Sequence, residues 1–332
     1  MAPRGKQILA YAAAGALGAA GIAYGVSRAY ASRRQRRAAP DDPDLGVPAD
    51  VVHHALLMRD GGESHLIERG VGPAVLLLHG ASLSADVWSY QLRDLAEWHR
   101  VIALDLRGHG RSSAGSEGVT ISAMAGDVAE VVAALDLERA VLAGHSLGGM
   151  VCLRLARRHP HLLGTQVGAI ALISTSDGMG LPLLSWDRLA SAVGRVAGSG
   201  AGLLRAGRPA IPAGDVGYLA SRLGFGRHPR PAQVAATLRM LRATEPGVFT
   251  GLIAEVLGFE ERAPFGEVGV PVAIAVGTSD RLTPPHFARR LAGSIRHASL
   301  NEYVDAGHML MYERREEIDD LLDALCAKVA SS

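Results

Sequence analysis

The chain has 332 residues, 48% of them hydrophobic and 20% charged. That balance supports a packed core and excludes wholesale disorder. A formal net charge of +1 gives no electrostatic case for a nucleic-acid partner, and two cysteines, Cys152 and Cys326, are too few for a disulfide scaffold or a cysteine-based metal site.

Ile8 to Ser27 is an uncharged run rich in Ala and Gly, just long enough to cross a bilayer as a helix. Arg4 and Lys6 precede it, and Arg28, Arg33, Arg34, Arg36 and Arg37 follow. The heavier positive flank stays cytoplasmic by the usual rule, so the expectation is a membrane anchor with the body of the chain in the cytoplasm. Two other readings stay open: a cleaved signal peptide, with Ala29-Tyr30-Ala31 as its Ala-x-Ala site, and a weakly hydrophobic arm. Ala38 to Asp50 is rich in Pro and Asp and reads as a linker, which sets residues 1–49 apart from the globular body.

Ala55 to Met58 and Ser64 to Glu68 predict two short strands joined by Asp60-Gly61-Gly62, a hairpin signal. Ala74 to Leu78 is a continuous apolar run of the kind buried on both faces of a sheet, and it ends in His79-Gly80-Ala81-Ser82. Helical spacing follows, with Val87, Trp88, Leu92 and Leu95 on one face. Val101 to Leu104 is the next buried strand and runs into a polar, glycine-rich loop, Asp105 to Ser113. Ile121 to Leu135 is helical by its apolar spacing. The strand Ala140 to Ala143 then feeds Gly144-His145-Ser146-Leu147-Gly148-Gly149 and a helix reaching Arg158.

After a strand at Ala169 to Ile173 the alternation stops. Residues 178–265 hold helix-like pieces, Trp186 to Val196 and Gln233 to Leu241, separated by Gly and Pro. They read as a mostly helical cap inserted between core segments 50–177 and 266–332. Apolar cap residues such as Leu181, Trp186, Leu203, Phe225 and Phe249 either line a pocket or pack the cap onto the body. Val272 to Val276, His286 to Leu291, Leu300 to Val304 and Arg314 to Val329 resume the strand–helix order. The fold class is therefore α/β: a mostly parallel central sheet with helices on both faces and an antiparallel hairpin at one edge.

Gly-x-Ser-x-Gly between a strand and a helix puts a serine on a sharp, strained turn, which small neighbours must accommodate. Gly144, Gly148 and Gly149 provide that room. His79, Ser146, Asp280 and His308 each fall just after a predicted strand, so they share the carboxyl-end rim where such sheets bind ligands.

From about Asp50 onward the chain resembles the α/β-hydrolase family. The resemblance rests on Leu78-His79-Gly80, the run Asp105 to Ser112, Gly144 to Gly149, Gly277-Thr278-Ser279-Asp280-Arg281 and Gly307-His308, in the family's order. It implies an α/β-hydrolase fold and a catalytic triad, with Ser146 as nucleophile, His308 as base and Asp280 orienting the imidazole. The implied oxyanion hole is the backbone N–H of Leu147 and that of Ala81, with Ser82 as the weaker second donor. Asp105 and His297 compete for the acid and base roles, less well by position. His79 and His109 are expected to hydrogen-bond loop backbone.

Epoxide hydrolases and haloalkane dehalogenases resemble the chain in its loops but carry Asp where Ser146 stands. The serine points instead to acyl transfer to water, on a small-molecule carboxylic ester, lipid-like or otherwise apolar, as in the esterase, lipase and monoacylglycerol-lipase-like branch. No cofactor is expected, nor a metal, since no His, Asp or Glu cluster has ligand spacing. The alternatives are another reaction in the same scaffold (C–C bond hydrolysis, thioester hydrolysis, perhydrolysis or acyl transfer) and a low-turnover binding protein.

Overall fold

A computed structural model describes residues 45–178, 214–261 and 268–331. The expected anchor Ile8 to Ser27 and the cap residues Leu181, Trp186 and Leu203 lie outside these. Among the described residues no helix is long and apolar enough to cross a membrane.

Among the described residues eight strands form one sheet: β1 (Val52–Leu57), β2 (Glu63–Arg69), β3 (Ala74–Leu78), β4 (Arg100–Leu104), β5 (Ala140–His145), β6 (Val167–Ile173), β7 (Val272–Gly277) and β8 (Ser299–Tyr303). The helices among the described residues are α1 (Ser89–Arg93), α2 (Ile121–Ala134), α3 (Leu147–Arg158), α4 (Asp215–Arg222), α5 (Pro231–Ala243), α6 (Pro246–Gly258), α7 (Pro285–Ser294), α8 (Leu310–Glu313) and α9 (Arg315–Ala330). The strand order is β1-β2-β4-β3-β5-β6-β7-β8. The pairs β3–β4, β3–β5, β5–β6, β6–β7 and β7–β8 are parallel, and only β2 runs against its neighbours.

The apolar run of β3 explains its central place. Val75 and Leu77 enter the core with Trp88, Tyr90 and α9, while Leu76 and Leu78 enter the opposite one with α2 and α3. All four side chains are fully buried, and burying one such side chain is worth about 1.5–3 kcal/mol. A half-polar strand could not supply both faces.

Between β6 and β7 the described residues leave the sheet and form α4, α5 and α6. The expected helix at Gln233 to Leu241 is the middle of α5. The stretch with Val87, Trp88, Leu92 and Leu95 is not one helix. It is a 3-10 turn (Ala85–Trp88), the five residues of α1 and a second 3-10 turn (Leu95–Glu97). The four side chains are still buried together, because residues three apart share a face in either helix type.

Candidate active site

Ser146 stands between β5 and α3 with φ 52° and ψ −114°, a strained backbone for a residue with a side chain. The crossing is tight: a Cβ on Gly144 would overlap the Gly148 carbonyl, and one on Gly148 would overlap the Leu78 carbonyl. The Ser146 N–H donates to the Ile173 carbonyl at 2.9 Å, and its carbonyl accepts from Thr175 Oγ1 at 2.7 Å. These bonds hold a conformation that would otherwise relax.

His308 and Asp280 come from the turns after β8 and β7. Both are buried, and His308 Nδ1 lies 2.9 Å from Asp280 Oδ2. Asp280 Oδ1 accepts the N–H groups of Leu282 and Thr283, each at 2.9 Å, and Oδ2 also accepts the Thr283 hydroxyl at 2.8 Å. Burial by itself raises the Asp280 pKa. The charge and hydrogen bond of His308, with the bonds from Thr283, outweigh it and leave the carboxyl below its usual range. The carboxylate is satisfied by these partners rather than by the adjacent Arg281. With Nδ1 facing Asp280, Nε2 is the imidazole nitrogen available to a proton from elsewhere.

The turn carrying His308 is tied down from two sides. The His308 N–H donates to the Gly224 carbonyl at 2.8 Å, and Glu313 accepts the N–H groups of Gly307 at 3.0 Å and Gly226 at 2.7 Å. The segment after α4 is thereby fastened to the histidine turn. His145 lies beneath: Nε2 donates to the His308 carbonyl at 2.9 Å, and the two ring centroids are 4.7 Å apart. Burial, then the neighbouring His308, pushes the His145 pKa far down, so His145 is a neutral packing residue.

Neither the Leu147 N–H, first in α3, nor the Ala81 N–H has a hydrogen-bond partner among the described residues. The Ser82 N–H, by contrast, donates to His109 Nε2 at 3.1 Å and is spent. His109 Nδ1 in turn reaches the Arg107 carbonyl at 3.1 Å, while His79 accepts the Leu106 N–H at Nε2 and donates from Nδ1 to the Gly80 carbonyl. Both imidazoles are buried and neutral. Burial, with the neighbouring His109 next, takes His79 down to about 3, and burial lowers His109. Their expected part in holding loop backbone is what the geometry gives.

The two competitors lie elsewhere. Asp105 accepts the N–H groups of Ala85 at 2.7 Å and Arg111 at 3.0 Å and contacts His65 Nδ1 at 2.8 Å. It anchors the loop that carries Ala81. His297 is exposed between α7 and β8.

Ser146, His308, Ala81 and Gly80 line one cavity of about 280 Å³. Met150, Leu83, Leu241, Val256 and Leu282 make much of its wall apolar, and α4 and α5 contribute Ala220, Ser221 and Thr237. Of the apolar cap candidates within the described residues, Phe225 is fully buried in the core and Phe249 is half-buried; neither lines this cavity.

Residues 73–315 match the family model described as the alpha/beta hydrolase fold. The chain belongs to the α/β-hydrolase family. Among α/β-hydrolase relatives, the AB hydrolase superfamily protein YisY of Bacillus subtilis (strain 168) is 30% identical over 269 residues, 76% of this chain and 91% of that protein. Among solved structures, the esterase RhEst1 from Rhodococcus sp. ECU1013 superposes with a TM-score of 0.67 at 25% identity, covering 83% of this chain and 99% of that one. Est816, described as an N-acyl homoserine lactone degrading enzyme, gives 0.63 at 26% identity, with 82% and 99% covered.

Sequence reading passes over Thr283, Glu313 and Thr175. Thr283 leaves a local signal, since an aspartate followed three residues later by threonine suits the side-chain-to-backbone bonds that Asp280 makes. Glu313 and Thr175 act on residues distant in sequence and leave none.

Proposed function

We propose that this α/β-hydrolase cleaves carboxylic esters through an acyl-enzyme intermediate, with Ser146 as nucleophile, His308 as general base and acid, and Asp280 as the group orienting His308. The observation that carries the reading is a convergence on one cavity. An elbow serine, a histidine held at Nδ1 by a buried carboxylate, and Ala81 all line it; the N–H groups of Ala81 and of Leu147, next in the chain after the serine, have no partner among the described residues.

The steps follow from the chemistry of those groups. Ser146 Oγ attacks the ester carbonyl while His308 Nε2 takes its proton. The charge that develops on the carbonyl oxygen is met by the Leu147 and Ala81 N–H groups and the positive end of α3. The His308 proton passes to the departing alcohol, leaving an ester on Ser146. Water then attacks that ester, giving its proton to Nε2, and the serine leaves with that proton restored. Asp280 stays ionised and stabilises the imidazolium.

A cavity of about 280 Å³ with an apolar wall favours a short apolar acyl group over a long lipid chain. The inserted segment 178–265 acts as the cap over this cavity, its described part supplying residues of α4, α5 and α6 to the wall. A fluorophosphonate probe followed by peptide mass spectrometry tests the nucleophile. The expected result is labelling at Ser146, strongly slowed in His308→Ala. A folded protein labelled only at another serine, or not at all, overturns the proposal.

A further inference from the structure

Ser221 lies on α4 facing the cavity that holds Ser146 and His308. It is 3% exposed, and its hydroxyl has no hydrogen-bond partner among the described residues. Leaving a buried hydroxyl unpaired costs stability, and alanine would suit the same helical position better. The serine hydroxyl thus has no structural partner among the described residues.

The other polar side chains around the cavity are committed. Thr237 Oγ1 donates to the Gln233 carbonyl at 3.0 Å and Thr283 Oγ1 to Asp280 at 2.8 Å. His145 donates from Nε2 to the His308 carbonyl. Its Nδ1 also lacks a partner, but Gly80 covers it so closely that a Cβ there would collide with that nitrogen. Ser146 and His308 are reactants. Ser221 Oγ is thus the uncommitted hydroxyl in a largely apolar wall.

We propose that Ser221 Oγ recognises the substrate, by a hydrogen bond to an oxygen other than those of the scissile ester group. This rests on the ester-hydrolase reading and narrows its substrate class. The preferred ester or lactone is small and apolar but carries one further oxygen, a keto, hydroxyl or ether group. A hydroxyl can donate to the first and third and accept from the second. An unfunctionalised ester leaves Ser221 unpaired in the complex, and that penalty sets the discrimination.

Two matched substrate series test this with wild type, Ser221→Ala and Ser146→Ala. On the acyl side, 4-nitrophenyl pentanoate is compared with its 3-oxo and 4-oxo analogues. On the alcohol side, butyl butanoate is compared with 2-methoxyethyl butanoate. The expected result is a wild-type preference of about tenfold in kcat/KM for an oxygen-bearing member of at least one series. Ser221→Ala brings that ratio to within about twofold of unity, chiefly through KM, without lowering the melting temperature. Turnover with ratios that Ser221→Ala leaves unchanged overturns the inference alone. So does a fall of both substrates together with a lower melting temperature, which marks a structural hydroxyl. Absence of Ser146-dependent turnover in both series overturns the hydrolase reading and this inference with it.

Discussion

At Asp280 the two carboxylate oxygens have different partners: Oδ1 takes backbone N–H groups, and Oδ2 takes His308 and the Thr283 hydroxyl. Asp280→Asn keeps the shape but offers an amide where His308 Nδ1 needs an acceptor. Turnover should fall by about 10⁴ with the fold intact, as read by steady-state kinetics and circular dichroism. Thr283→Val removes one donor from Oδ2 and should cost about tenfold in kcat. The depressed Asp280 pKa has a direct consequence for pH. Asp280 stays charged as pH falls through the mildly acid range, so its hold on His308 Nδ1 is lost only below the usual carboxylate range. Asp319 offers the opposite sign in stability. Burial pushes its carboxyl up to about 7 against the hydrogen bond from Gln91. Folding therefore becomes less favourable as pH rises from about 4, where the unfolded group ionises, to about 7. Asp319→Asn should stabilise the protein by about 1–2 kcal/mol at pH 8 and by little at pH 4, as followed by denaturant melts.

Among the elements, the turn from β5 to α3 demands the most of its sequence and was the most legible in it. Glycine spacing there follows from backbone contact, so Gly148→Ala must push α3 off the Leu78 carbonyl and should lower the melting temperature and abolish activity together. The strands β3, β5, β6 and β7 were equally readable, because burial on both faces leaves only continuous apolar runs. The broken helix around α1 was not, since its spacing fits α and 3-10 geometry alike. Thr175 and Glu313 were hidden for a different reason: each bonds a residue brought near only by the sheet order. Ser221 was hidden because a serine on an amphipathic helix ordinarily faces water. The Asp105 to Ser113 loop holds a further contact of this kind. Arg107 is buried between Asp127, at 2.6 and 2.5 Å, and Asp60, at 2.8 Å. Its removal leaves the buried Asp127 carboxylate unpaired beside the half-buried Asp60, so Arg107→Ala should cost about 3–5 kcal/mol in denaturant unfolding.

For the whole molecule, the sheet order brings the ends of β3, β5, β7 and β8 to one rim, which is why His79, Ser146, Asp280 and His308 could be assigned to a common face before their distances were known. None of these groups comes from residues 1–44. Leu45, Val47 and Val51 pack against the core, and Arg93 and Arg69 bond Gly46 and Asp50. Protein beginning at residue 41 keeps those contacts, so its kcat/KM on small esters should stay within about twofold of the full chain. The most direct measurement is hydrolysis of 4-nitrophenyl esters of increasing acyl length by wild type and Ser146→Ala. The account predicts turnover that peaks at a short acyl chain and falls by at least about 10³ in Ser146→Ala. Equal rates from both proteins, each shown to be folded, would contradict it.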